Sequence, residues 1–364
     1  MLSFWEKDQL IDFDFAIVGG GILGLFTAFE LSIKYPKARI AIFEKSMYGQ
    51  GATTRNAGFA CFGSMTEIAS DRRKWGDEKT LEIIEKRWRG IQKIKNTLRS
   101  KIDYETYGGY ELIFETKDID SQLDETNRFL FPIFQKNIFS IAADNLRRFG
   151  FSDAVKQLIF NPIEGQLHSG KLVLALHKLL QNKGVSFFSN SEITNYQSGE
   201  KVYFSINHQR ELSTTKLIFC TNALAPSQMN KVVPARGQVL ITEPLEHLKF
   251  KGCFHFDEGF YYFRNVGNRI LLGGGRQLDI AGETTISPDL NEKIQLDLNS
   301  KLHQIISPGY IPKIEMRWSG IMSFSETKLP VTTQISKNVY YAMVCNGMGI
   351  SLSPIAAEKI ADII

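Results

Sequence analysis

Near the amino terminus, Gly19-Gly20-Gly21-Ile22-Leu23-Gly24 has the G-x-G-x-x-G spacing that brings a backbone against a pyrophosphate. Gly19 permits the tight turn, Gly21 lets main-chain amides close on the phosphates, and Gly24 lets the following helix pack on the preceding strand. A helix starting at Ile22-Leu23 presents unsatisfied N–H groups and the positive end of its dipole to an anion. Glu44, with Lys45 beside it, ends the next apolar run, where a carboxylate accepts hydrogen bonds from a ribose diol. A glycine-rich buried turn with Glu44 merely solvated is the plain alternative. The order of strand, turn, helix and acid argues for a dinucleotide, and the pattern suits NAD as well as FAD.

The elements that must position these residues follow from hydrophobic periodicity. Residues 13–18 and 39–43 read as buried strands, and between them Ile22, Leu25, Phe26 and Phe29 fall at i, i+3, i+4 and i+7, one apolar helix stripe. The three form a βαβ unit. Residues 15–33 are long enough to span a membrane with only Glu30 charged, but three consecutive glycines argue for strand, turn and helix instead. Residues 66–101 read as helical and charged, 109–115 as a strand, and 172–181 as an amphipathic helix. Strands follow at 185–188, 202–206 and 216–220, then an antiparallel block between Gly237 and Gly275 that includes 260–264 and 269–272. A last strand at 339–344 leads through Asn346-Gly347-Met348-Gly349 into a helix for which Ser353 and Pro354 suit the N-cap and first position.

The expected class is α/β. A Rossmann-like nucleotide-binding domain (1–106, 133–230 and 330–364) interleaves with a smaller antiparallel-sheet α+β domain for substrate (107–132 and 231–329). The 364 residues suffice for two such domains, and 43% apolar with 23% charged residues is ordinary for a soluble globular chain. A net charge of +4 without a long basic run does not call for a nucleic acid partner and does not exclude one, and Arg72-Arg73-Lys74 reads as a solvated face. Cys61, Cys220, Cys253 and Cys345 show no C-x-x-C pair and no histidine at metal-ligand spacing, so reduced thiols, no metal and a cytoplasmic setting are expected. The first residues lack the basic start and apolar run of a secretory signal.

Five further segments occur in order: Gly51-Ala52-Thr53-Thr54-Arg55-Asn56-Ala57-Gly58, Cys220-Thr221-Asn222-Ala223, Pro234-Ala235-Arg236-Gly237-Gln238, Arg317-Trp318-Ser319-Gly320, and residues 347–354. With the first glycines they make the chain resemble, over almost its full length, the D-amino-acid oxidase family of flavoproteins, which includes glycine, sarcosine and related amine oxidoreductases. The resemblance implies FAD and dehydrogenation of a small amine or amino acid to an imine, as an oxidase or a dehydrogenase, the electron acceptor being open. By the same resemblance, Thr53, Thr54, Arg55, Asn56, Ala57, Gly58 and Phe59 pass the pyrophosphate and flavin ring, although Thr53-Thr54 also suits a helix cap. Ile193 falls where backbone groups read the adenine, and Thr221, Asn222 and Ala223 pass the pyrophosphate from the other side. Asn346, Gly347, Met348, Gly349 and Ile350 lie under the flavin's pyrimidine edge, a plain glycine turn being the alternative. Cys61 and Cys345 near the flavin suit a covalent link or, more simply, small packing residues.

Two departures bear on substrate. Where amino-acid-oxidising members place a carboxylate-gripping arginine after Trp318-Ser319-Gly320, this chain has Ile321-Met322-Ser323. Phe260 occupies the place of a carboxylate-binding tyrosine, which moves the expected anchor to Tyr262, Arg264 or Arg317. Leu271 stands where sarcosine-oxidase-like members carry a lysine. No catalytic acid or base is assigned, because an amine that arrives deprotonated needs none. Of six histidines only His255, among the substrate-domain strands, is a weak candidate. Two other functions fit the resemblance: a flavoenzyme modifying a tRNA wobble uridine, marked by a basic stripe beside the site, and a flavoprotein with a binding or assembly role.

Overall fold

The computed structural model describes residues 3–49, 51–224, 232–306, 312–344 and 346–364. Cys345 and the domain boundary drawn at 230/231 therefore lie outside the described residues.

Asp12–Val18 pairs in parallel with Ile40–Phe43 on one side and Arg210–Phe219 on the other, and the parallel series continues to Ser186–Phe188 and Val339–Met343. Val331–Ser336 adds an antiparallel edge, and Ile193–Gln197 with Val202–Ile206 extends the far end of the long Arg210–Phe219 strand. Parallel strands must be covered on both faces. The Ile22–Lys34, Ser169–Gln181 and Gly349–Ile363 helices supply Leu25, Leu31, Leu176 and Leu352 to one core, while Phe13, Phe43, Phe204 and Tyr341 form the other. The apolar stretch near the amino terminus is thus a strand, a turn and a helix, and among the described residues no helix is long and apolar enough to cross a membrane.

The second sheet runs Ile314–Phe324, Val233–Thr242, Arg269–Gly274, Tyr261–Val266, Cys253–Phe256, Gly109–Ile113, Gln157–Asn161 and Ser140–Ile141. It is mixed rather than purely antiparallel, because Cys253–Phe256 and Gly109–Ile113 run parallel. Each of the two large sheets has eight strands, so the second is not the smaller by strand count. One of its faces carries Leu240, Leu272, Phe263, Phe254 and Tyr110 against the Glu292–Lys301 helix and its surroundings. The other face carries Val239, Leu271 and Tyr262 against Ala57 and Phe59.

Three expectations change. Residues 140–161, assigned to the nucleotide-binding part, contribute Ser140–Ile141 and Gln157–Asn161 to the second sheet; a pairing with Gly109–Ile113 is non-local and leaves no local pattern. The helical stretch 66–101 divides at Gly76, whose φ of +81° favours glycine, into Met65–Trp75 and Asp77–Leu98. The last helix begins at Gly349, not Ser353; Ser353 returns a 2.5 Å hydrogen bond to the Gly349 carbonyl and Pro354 lies inside the helix.

Candidate cofactor and substrate site

The glycine turn is shaped by close approach. A Cβ at Gly24 would run into the Gly19 carbonyl, and one at Gly19, where φ is +108°, would meet the Cys220 carbonyl oxygen at 2.8 Å. At Gly21 it would lie 3.1 Å from Thr53 Oγ1, which accepts a 2.9 Å hydrogen bond from Ile22 N–H at the helix start. Leu23 is the next residue of that helix and is buried. Glu44 Oε2 accepts from Gly20 N–H (2.8 Å) and Oε1 from Ser46 N–H (2.9 Å), so the carboxylate is oriented before any diol arrives. Lys45 is exposed beside it. A crevice at this carboxylate is lined by Gly20, Met47, Tyr48, His177, Phe188 and Ser189, among others. Ile193 is not one of them: it opens the outer hairpin, pairs with Ile206 and packs half-buried under the second core. The residues beside Glu44 come instead from the end of the Ser186–Phe188 strand, whose Phe188 carbonyl accepts from Glu44 N–H (2.9 Å).

Thr221 follows the Arg210–Phe219 strand, and its buried Oγ1 has no partner among the described residues. Asn222, at φ +50°, accepts from Val344 N–H and from the Tyr341 hydroxyl, fixing the turn that continues into Ala223. An orphaned hydroxyl opposite a glycine cradle and a helix start fits a diphosphate, which accepts hydrogen bonds and leaves no donor idle.

The loop at 52–59 crosses from this turn to the second sheet. Asn56 stiffens it, donating to the Ala52 and Thr53 carbonyls and accepting from Gly58 N–H and Ser169. Arg55 donates to the Ser319 carbonyl, while Trp318 Nε1 donates to the Arg55 carbonyl (3.0 Å). Gly320 allows this docking, since a Cβ there would lie 3.1 Å from Arg55 Cβ. Ala57 and Phe59 pack on Val239, Leu271, Tyr262 and Trp318, whereas Thr54 is exposed.

Strand alternation sorts the substrate candidates. Tyr262 and Arg264 share the face toward this loop, while Phe260 precedes the strand and is 44% exposed. Tyr262 lies across Gly273, where a Cβ would meet its hydroxyl at 2.7 Å; burial pushes its pKa up to about 12. Arg264 lies behind Gly58, whose Cβ would be 3.4 Å from its Cζ. It is 8% exposed, its Nε has no partner among the described residues, and burial lowers its pKa. Arg317 is on the opposite face, paired across with Leu240 and bonded to Gln295 Oε1 (2.5 Å). The structure therefore brings Tyr262 and Arg264 together and leaves Arg317 apart.

His255, cross-strand from Tyr262 and edge-on to Phe59, contacts Glu164 through Nε2 at 3.3 Å. Burial opposes its protonation, but Glu164 and Glu111 outweigh this and its pKa is raised. Cys61 joins them, with the three ligand atoms within 4.8 Å of one another, a convergence invisible in sequence spacing. Burial pushes the Cys61 thiol well up, and it donates to Met348 Sδ (3.9 Å). The set is a buried histidine–carboxylate pair beside a protonated thiol, adjoining the C-terminal loop.

That loop is set by Asn346 (φ +59°) and Gly347 (φ +79°). Asn346 N–H bonds the Ser323 carbonyl (2.8 Å), Ser323 Oγ bonds the Val344 carbonyl, and Met322 Sδ lies near the Gly347 α-carbon. Met348 is the N-cap of the helix starting at Gly349 and buried Ile350. Asp77–Leu98 buttresses that start at Gly90, where any Cβ would strike the Ser351 carbonyl.

The sequence matches the family of FAD dependent oxidoreductases known as DAO over residues 14–363. The chain belongs to this family. FAD is its cofactor, and the glycine turn, Glu44, Thr221 and the two loops are the groups available to hold it. The probable oxidoreductase OrdL of Haemophilus influenzae is 23% identical, covering 100% of this chain and 85% of that protein. Gamma-glutamylputrescine oxidoreductase of Escherichia coli is 22% identical, with 99% and 85% covered. In fold, the chain matches the crystal structure of glycine oxidase from Geobacillus kaustophilus with a TM-score of 0.78 at 20% identity, covering 97% of this chain and 94% of that one.

Proposed function

We propose that the protein oxidises a C–N bond of a small amine or amino acid to the imine, which water then hydrolyses. FAD supplies the hydride acceptor, and the protein supplies binding, orientation and electrostatics. The observation that carries the reading is the meeting of the 52–59 loop with one sheet face, where Tyr262 and Arg264 stand beside residues assigned to the flavin. Tyr262, raised to about 12, stays a neutral hydroxyl at any working pH and can donate to the substrate or accept from its nitrogen. Arg264 supplies positive charge from behind Gly58, where negative charge accumulates on reduction. Substrate amine enters deprotonated, so its lost hydrogen leaves as hydride and no side-chain base is required. Gamma-glutamylputrescine oxidoreductase and glycine oxidase are both named for nitrogen-bearing compounds, which supports an amine. Anaerobic mixing with a panel of primary and secondary amines and amino acids tests the reading. Bleaching of the flavin by at least one is expected, and bleaching by 2-hydroxy acids alone would overturn it.

A further inference from the structure

Among the described residues, Arg87, Arg236 and Arg317 are each tied down, to the Phe62 carbonyl and Glu67, to Glu283, and to Gln295. Arg276 is not. It opens the short turn Arg276–Leu278 that follows Arg269–Gly274 through Gly275, at φ +77°. Its guanidinium lies over the Phe324 ring, 4.4 Å from the centroid, and its buried Nε has no hydrogen-bond partner among the described residues. Glu283, the acid whose charge it feels, is already bonded by Arg236, Gln238 and Asn291. Arg276 is half-buried, and burial lowers its pKa against the pull of Glu283.

The place of this cation is informative. Phe324 is two residues beyond Met322 on the same strand, hence on the same side, and Met322 lies against Gly347 of the C-terminal cofactor loop. Met322 itself cannot donate to a carboxylate. The ring that Arg276 covers therefore stands on the Met322 side of the strand, about 7 Å along it from the Met322 position. We propose that Arg276 grips a carboxylate that the amine substrate carries away from its reacting carbon, separated from it by a spacer of about five bonds. The substrate class is then an ω-amino acid, or an N-substituted relative of one, and not an α-amino acid. The inference rests on the amine-oxidising reading above.

Two measurements separate them. Binding is read without turnover, by titrating the oxidised flavoprotein with unreactive pentanoate, hexanoate and acetate and following the flavin difference spectrum. Turnover is read from the concentration of 5-aminopentanoate, 6-aminohexanoate, alanine or sarcosine that half-reduces the flavin. The expected result is tighter binding of the longer acids, half-reduction at lowest concentration by an ω-amino acid, and a loss of about tenfold to a hundredfold in both for Arg276→Met at unchanged FAD content. Arg276→Lys should recover part of the loss. A Met322→Arg change should shift preference toward alanine and sarcosine. Unchanged carboxylate affinity in Arg276→Met, or tightest half-reduction by an α-amino acid, overturns the assignment. If no amine reduces the flavin, the amine-oxidising reading fails, and the carboxylate titration alone then decides whether Arg276 binds the anion.

Discussion

The nucleotide end and the substrate-facing sheet are built on opposite plans. At the nucleotide end, apart from the Thr221 hydroxyl, which has no partner among the described residues, Glu44, Thr53 and Asn56 are bonded within the chain, by donors and acceptors mostly from contiguous segments. At the sheet face, the guanidiniums of Arg264 and Arg276 have buried nitrogens without partners among the described residues, and their neighbours come from several strands far apart in sequence. The difference teaches where each ligand's energy comes from. A constant cofactor is met by a pre-bonded, shape-determined cradle, whereas the substrate side keeps buried charge that the ligand or the reaction must satisfy.

The largest effect should come from shape at the cradle. Gly24→Val forces a side chain into the Gly19 carbonyl and should yield protein that is insoluble or free of flavin; a soluble yellow variant would break the cradle half of the comparison. Gly21→Leu is milder, because only the Thr53 hydroxyl stands near. It should fold, with an unchanged circular dichroism spectrum, yet bind FAD about a hundredfold more weakly. Retention of stoichiometric flavin in that variant would show that the backbone does not approach the pyrophosphate there.

The seam between the two regions is ionic and gives a pH test. Lys328, just beyond the second sheet, bonds Glu67 (2.7 Å) and Asp71 (2.8 Å) on the Met65–Trp75 helix, and Arg87 reaches Glu67 from Asp77–Leu98. Burial opposes ionisation of Glu67, but Lys328 and Arg87 outweigh it and lower its pKa from 4.5 to about 2. A depressed folded-state value means the contribution is complete above the ordinary 4.5 and is lost as pH falls toward 2. Melting temperature should therefore decline across that window in the native chain. Glu67→Gln should lose about 3 kcal/mol at neutral pH, since it leaves buried Arg87 with the Phe62 carbonyl and Lys328 with Asp71 as their remaining partners, and should flatten that decline. An equal acid slope in both proteins would remove Glu67 from the seam.

The smallest effects concern charge at the flavin. Helix Gly349–Ile363 starts five residues nearer the loop than the sequence suggested, which, on the reading that this loop lies under the flavin, brings its dipole closer to the reduced ring. The enzyme should favour an anionic reduced flavin and form a sulfite adduct; a neutral semiquinone without an adduct on dithionite and sulfite titration would speak against the loop. Arg264→Met should weaken sulfite binding about tenfold, while Arg317→Ala, on the far face, should leave it unchanged. Equal effects of the two would erase the distinction between the faces.

The βαβ unit, the antiparallel block and the loops around Gly58 and Gly347 were legible because periodicity, glycine and turn chemistry act within a few residues. Ile193 stands outside the crevice beside Glu44, because a strand's end, not its motif, determines which residues face that carboxylate. Arg276 escaped notice because an arginine after three glycines looks like any surface arginine. Only the fold shows that its Nε is buried without a partner among the described residues.

What the sequence determined by itself is the class of the chain, its cofactor motif and the order of its elements, all consequences of short-range backbone geometry and apolar spacing. The tertiary structure alone decided which sheet receives residues 140–161, which face each arginine occupies, and how Cys61, Glu164 and His255 meet. Those outcomes depend on strand register and on desolvation by distant neighbours, and a one-residue shift in register would reverse every face assignment.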